Sequence, residues 1–201
     1  LSAGDTAWVL ASTALVLLMT PGLAFFYGGM TKAKSTLNMM MMSFSAIAIV
    51  SVLWVIYGFS LAFGNSGSSL YGELSLSGLS SAVGQLTNNG GIYGIPLLAF
   101  AGFQLMFAVI TPALITGATA DRLKFSAYAI LIGVWSVIVY PVVAHWVFSP
   151  TGWLFRRGAL DFAGGAAIHI NAGIAALAVT MVIGPRRGWM KEPMPPHNLP
   201  F

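Results

Sequence analysis

The sequence predicts an all-α, polytopic membrane protein with five transmembrane helices, and three observations carry that reading. Of its 201 residues 57% are apolar and only 7% charged, whereas about a quarter of a soluble domain is charged. The charges are gathered into clusters, which leaves uncharged runs between Asp5 and Lys32, Lys34 and Glu73, Glu73 and Asp121, Lys124 and Arg156, and Asp161 and Arg186. Each run is long enough to hold a span of about 20 residues.

Taken in order, the predicted spans cover about residues 8–28, 37–63, 95–120, 125–148 and 162–183, with 184–201 a terminal loop. Pro21 and Gly22 in the first span read as a kink whose freed carbonyl finds another partner. A short turn with Lys32 and Lys34 leads into the second span, where Met39 to Met42 read as adaptable packing rather than a metal site. Residues 65–94, rich in Gly, Ser and Asn with Glu73 their only charge, form an extramembrane loop. The third span stops at Asp121-Arg122-Leu123-Lys124 and the fourth carries Pro141 near its end. Residues 149–160 are a loop with Pro150, Gly152, Arg156 and Arg157. Gly184-Pro185-Arg186-Arg187 terminates the fifth span.

Orientation follows from the cations. Lys32, Lys34, Arg122, Lys124, Arg186, Arg187 and Lys191 fall in the first, third and fifth connections, against Arg156 and Arg157 in the second and fourth. Short basic loops stay cytoplasmic, so the N-terminus is expected outside and the terminal loop inside, in the cell membrane. The net charge of +4 is thereby a matter of topology, and nucleic acid is not an expected partner. No cationic segment precedes the first apolar run, so Leu1 reads as a mature or trimmed start. Pro193, Pro195, Pro196 and Pro200 keep the tail a loop, and its break at Phe201 reads as a fragment of something longer.

With no cysteine, thiolate metal sites and disulfides are excluded. No phosphate loop, zinc spacing or nucleophile triad occurs, so neither an enzyme nor a cofactor is expected, and Gly164-Gly165 is too short a glycine signal for nucleotide binding. The informative residues are the polar ones in apolar spans: His145, His169, Asn171, Gln104 and Asp161. His169, about two turns into the fifth span, is expected neutral there. It either lines a path for a small polar solute or proton, or hydrogen-bonds a neighbouring helix. Asp161 either caps the fifth helix or concentrates cations at the outer face. His145 fits an interfacial hydrogen bond. Phe103 and Phe107, spaced i, i+4, either pack a core or present ring faces to a cation in a vestibule.

Four strings go further. Asp5-Thr6-Ala7-Trp8, Pro21-Gly22-Leu23-Ala24-Phe25-Phe26-Tyr27-Gly28-Gly29, Asp161-Phe162-Ala163-Gly164-Gly165 through His169-Ile170-Asn171, and Pro196-His197-Asn198-Leu199-Pro200 resemble the ammonium transporter family (Amt/Mep/Rh), in family order along the whole chain. The resemblance implies the first five-helix half of an eleven-span inverted-repeat transporter, assembled as a homotrimer with a pore in each protomer. By position Phe107 resembles the outer phenylalanine gate, Phe103 its neighbour, Asp161 the acid below the recruitment site and His169 the first of twin pore histidines. Their counterparts would lie beyond Phe201, so residues 1–201 alone are not expected to conduct.

Where the family usually has a recruitment tryptophan this chain has Phe148, with Trp146 and Trp153 nearby. A phenylalanine keeps a ring face but loses the indole N–H, so recruitment is weaker or Trp153 substitutes. The implied activity is passage of ammonium: recruited at an outer aromatic vestibule, deprotonated, and conducted as ammonia through an apolar histidine-lined pore. The rival is an ammonium sensor in which the same membrane fold feeds a signalling output. PII-type regulatory proteins are the cytoplasmic partners that the resemblance implies.

Overall fold

The computed structural model describes residues 1–65, 68–87, 94–186 and 188–199. Part of the 65–94 loop, together with Arg187, Pro200 and Phe201, lies outside the described residues. Apolar runs without breakers fold as helices, because in hydrocarbon every backbone N–H and C=O must be satisfied within the segment. The described chain contains α1 (Ala3–Met30), α2 (Thr36–Leu53), α3 (Phe59–Phe63), α4 (Leu97–Thr119), α5 (Phe125–Ile138), α6 (Tyr140–Phe148), α7 (Trp153–Arg156) and α8 (Asn171–Ile183). Two π-turns, Trp54–Gly58 and Gly165–Ile170, join α2 to α3 and lead into α8. Among the described residues, five helical segments are long and apolar enough to cross a membrane: Ala3–Met30, Ala33–Phe63, Leu97–Thr119, Phe125–Arg156 and Gly165–Ile183.

The elements differ from the sequence expectation in instructive places. Helix α1 begins at Ala3, well before residue 8, because Ser2 caps it by accepting from the Asp5 N–H at 3.3 Å. It runs helical through Pro21. The fourth span is interrupted at Val139, and Pro141 sits in the first turn of α6, where a missing N–H costs little. The 149–160 loop contains a helical turn, α7. His145, expected to make a hydrogen bond near the end of the fourth span, does so from a fully buried ring, with Nδ1 2.9 Å from the Ala62 carbonyl and Nε2 3.3 Å from that of Ser68.

Helix α4 is the hub, packing against α1, α2, α5 and α8, and it is buried along much of its length. The main core gathers an aromatic cluster in which Trp54 meets Phe59 at 5.9 Å, Phe63 at 6.4 Å and Tyr140 at 6.0 Å. Its indole N–H donates to the Ala101 carbonyl at 3.1 Å, since a buried indole needs a partner. Met39 and Met42 are buried, and Met42 sulfur receives the Thr119 hydroxyl at 3.7 Å, which fits the expected packing role.

The loops segregate to two ends. At one end Ser35 bonds the Asp121 carboxylate, Arg122 donates to the Gly184 carbonyl at 2.6 Å, and the tail returns to the α1–α2 turn through His197 N–H to Thr31 O at 3.3 Å. Burial and the nearby Arg186 both pull the Arg122 guanidinium pKa down. At the other end the Ser2 N–H reaches Gly94 O at 3.0 Å, and the Trp153 N–H reaches Ser69 O at 3.1 Å. Lys32, Lys34, Arg122, Lys124, Arg186 and Lys191 thus share the first end, and Arg156 with Arg157 the second.

Candidate functional site

Three elements meet around one apolar cleft: the middle of α1, the middle of α4 and the π-turn before α8. The cleft, of ≈ 320 Å³, is lined by Met19, Gly22, Leu23 and Phe26 from α1, by Phe107, Ile110 and Leu114 from α4, and by Ala163, Ile168 and His169. Gly22 leaves open space where a Cβ would stand, so the Pro21-Gly22 pair thins the wall of α1 here.

Phe103 and Phe107 lie one turn apart on α4 and meet edge to face, with centroids 5.0 Å apart at 88°, the arrangement that the ring quadrupoles favour. Pro112 has no N–H, so the Ala108 carbonyl loses its helical donor. The adjacent Thr111 hydroxyl donates to the Phe107 carbonyl at 2.5 Å, a bond that bends helices. Thr111 and Pro112 therefore shape the helix just beyond the ring. A proline in a charge-free run is the sequence signal for this local shape. Gln104, on the same helix, is buried with its Oε1 lacking a hydrogen-bond partner among the described residues.

The π-turn is built by Asp161 and Gly164. The half-buried Asp161 carboxylate accepts from the Ala166 N–H at 3.0 Å and the Ala167 N–H at 2.9 Å, two donors that no preceding turn satisfies. Gly164 sits at φ +77°, and a side chain there would run into Ile168, so only glycine fits. Its carbonyl accepts from both Ile168 N–H at 2.9 Å and His169 N–H at 3.0 Å. This widened turn, of the kind that recurs at functional sites, carries His169 onto the cleft and leaves it exposed on the surface of the chain.

The sequence candidates are thus distributed unevenly. Phe107 and His169 line the same cleft, Phe103 stacks on Phe107, and Asp161 acts two residues before Ala163, which lines it. Phe148, half-buried at the end of α6, packs against the main core and is not among the cleft residues. Nearby, Trp146 and Trp153 meet edge to face at 5.9 Å, and the Arg157 guanidinium lies over the Trp153 ring at 5.3 Å. Asn171 spends its amide on the Ala167 carbonyl at 3.2 Å. Among the described residues no three of His, Asp and Glu come together as a metal-binding group would require.

Among the described residues, five helical segments long and apolar enough to cross a membrane define the class: a polytopic α-helical membrane protein. Over residues 7–201 the sequence matches the Ammonium Transporter Family, and the chain belongs to that family of transporters. It is 51% identical over 219 residues to an ammonium transporter of Mycobacterium tuberculosis (strain ATCC 25618 / H37Rv), covering 98% of this chain and 46% of that protein. It is 45% identical to ammonium transporter Amt1 of Archaeoglobus fulgidus over 201 residues, covering 100% of this chain and 48% of that one. The fold is similar to the crystal structure of Candida albicans Mep2, with a TM-score of 0.86 and 32% identity over 98% of this chain and 44% of that one. It is likewise similar to a "Sensor Amt Protein", with a TM-score of 0.85 and 28% identity over 98% of this chain and 49% of that one. The chain spans about half the length of the curated relatives it matches.

Proposed function

We propose that this chain forms the first, five-helix half of an ammonium transporter, and that its cleft is one wall of the conducting path. The carrying observation is that Phe107 and His169, from different helices, face the same apolar cleft. An apolar wall is hostile to a cation, since a charge at the centre of a bilayer costs about 2.5–3.5 kcal/mol even on the mildest scale. Ammonia, which is neutral, avoids that cost. On this reading an ammonium ion is collected at the end bearing Arg156 and Arg157, loses its proton near the Phe103–Phe107 pair, and passes as ammonia along a wall where His169 offers one donor and one acceptor.

A second half, entering from the opposite side, closes the path in an inverted repeat, and three such protomers assemble. The end carrying Lys32, Lys34, Arg122, Lys124, Arg186 and Lys191 faces the cytoplasm by the positive-inside rule, where PII-type regulators dock. The N-terminus lies outside, in the cell membrane.

The test is ammonium-driven current through the full-length protein in liposomes. Phe107→Ala should loosen the outer barrier and weaken cation recruitment by roughly the 0.5–2 kcal/mol of a cation–ring contact. His169→Ala should cut charge movement sharply while assembly survives. Unchanged current per assembled trimer in His169→Ala would end the pore-histidine reading. The likeness to the "Sensor Amt Protein" favours a second reading, an ammonium sensor. Ammonium binding without measurable current, coupled to a signalling output in the full-length protein, would select it.

A further inference from the structure

At the end of the chain that bears Arg156 and Arg157, one aromatic ring already carries a cation. Trp153 is fixed from several sides. Its N–H donates to Ser69 O at 3.1 Å, and the preceding Gly152 donates to Ser149 O at 2.8 Å in a turn that has no room for a Cβ against the His145 and Trp146 carbonyls. Trp146 braces the Trp153 ring edge to face at 5.9 Å, and its own indole N–H is tied to the Leu70 carbonyl at 2.9 Å. Over this braced, half-buried ring lies the guanidinium of the exposed Arg157, 5.3 Å from the centroid. Among the described residues the one ion pair is Lys32 with Glu192, and the Asp161 carboxylate is engaged by two backbone N–H groups. What holds the guanidinium is therefore the ring.

We propose that Arg157 is an internal competitor for the transported cation, its guanidinium covering the Trp153 ring face on which an incoming ammonium ion would otherwise be collected. The proposal rests on the transport reading above and assigns to Arg157 a specificity-setting role. Ring faces attract ammonium and guanidinium by the same quadrupole. A contact at an exposed site favours the on-ring state by about two- to five-fold, and the side chain leaves and returns within nanoseconds. The seat is then free about a third to a sixth of the time. The apparent half-saturating ammonium concentration rises by the inverse of that fraction, about three- to six-fold. Trp153 thus does not simply replace the recruitment tryptophan: its ring is available only when Arg157 steps off. Arg156, on the same turn with the same charge, has no such ring contact among those described, so it serves as the control for long-range repulsion.

The experiment uses the full-length protein in liposomes, with ammonium chloride as the probe. Current against concentration is compared for the native protein, Arg157→Gln, Arg157→Lys, Arg156→Gln, Trp153→Ala and the double variant Arg157→Gln/Trp153→Ala. Expected is a three- to six-fold lower half-saturating concentration in Arg157→Gln at unchanged maximal current, less than a two-fold change in Arg156→Gln, and no effect of Arg157→Gln once Trp153 is Ala. Intrinsic tryptophan fluorescence, titrated with ammonium chloride on the same samples, reads the seat independently of conduction. It should saturate at lower concentration in Arg157→Gln and lose that shift without Trp153. Equal shifts in the Arg156 and Arg157 variants, persistence of the Arg157 effect without Trp153, or no shift in either readout would overturn the proposal. A native protein without current but with the fluorescence pattern would sink the transport reading and leave the seat standing.

Discussion

Replacing Asp161 tests how much of the site rests on one carboxylate. Its oxygen accepts from the Ala166 and Ala167 N–H groups at 3.0 and 2.9 Å, and these bonds fasten the wide turn that carries His169. Hydrogen bonds to a charged group contribute about 1.5–3 kcal/mol each, but Asp161 is only half-buried, so water replaces much of what is lost. A helix cap replaced by Ala typically costs about 0.5–2 kcal/mol. About 2 kcal/mol is therefore expected for Asp161→Ala, and about 1 kcal/mol for Asp161→Asn, which keeps an oxygen acceptor but not the charge. The assay is hydrogen exchange by mass spectrometry on the full-length protein, following the peptide that spans residues 162–170. Local opening should become easier by about 30-fold in the Ala variant and about five-fold in the Asn variant, at 1.4 kcal/mol per factor of ten. Helix α2, remote from the turn, should be unaffected. Exchange in 162–170 unchanged by Asp161→Ala would refute the fastening role and leave only the electrostatic one, in which Asn and Ala variants lose cation attraction equally and salt abolishes the difference from native.

Three further outcomes follow from particular contacts. Gly164→Ala should destabilise by about 2–4 kcal/mol, from left-handed backbone strain and the collision with Ile168; the shift in thermal unfolding measures it, and adding Ile168→Ala should recover the steric part only. His145→Ala should cost about 2–4 kcal/mol by leaving a cavity and an unpaired Ala62 carbonyl, read as a lowered unfolding midpoint, with His145→Phe refilling the volume but not the bond. Single cysteines, absent from the native chain, should be labelled from the exterior at exposed Ser75 and from the cytoplasm at Lys191; modification of position 75 from the cytoplasmic side alone would reverse the topology.

The sequence by itself determined the number of spans and the two-ended sorting of charge, because hydrocarbon penalises a charge or an unpaired backbone group wherever it falls along the chain. Clusters at Lys32–Lys34, Asp121–Lys124 and Arg186 therefore mark span ends without reference to packing. It also supplied the individual candidates Phe103, Phe107, Asp161 and His169, since a polar or repeated aromatic residue in an apolar run stands out locally. What only the tertiary structure decided is which of them share a surface. Phe107 and His169 are far apart in sequence and face one cleft because α4 packs against both α1 and the π-turn. Phe148 and Trp153 are close in sequence yet belong to different surroundings, one packed on the core and the other an indole ring covered by the Arg157 guanidinium. The same holds for His145, whose position suggests a hydrogen bond but whose partners, the Ala62 and Ser68 carbonyls at another span's end, only the packing reveals. Hydropathy is a property of the chain at each residue, whereas a partner for a ring or an imidazole depends on helix rotation and on turns such as Gly165–Ile170, which a uniformly apolar pattern leaves free.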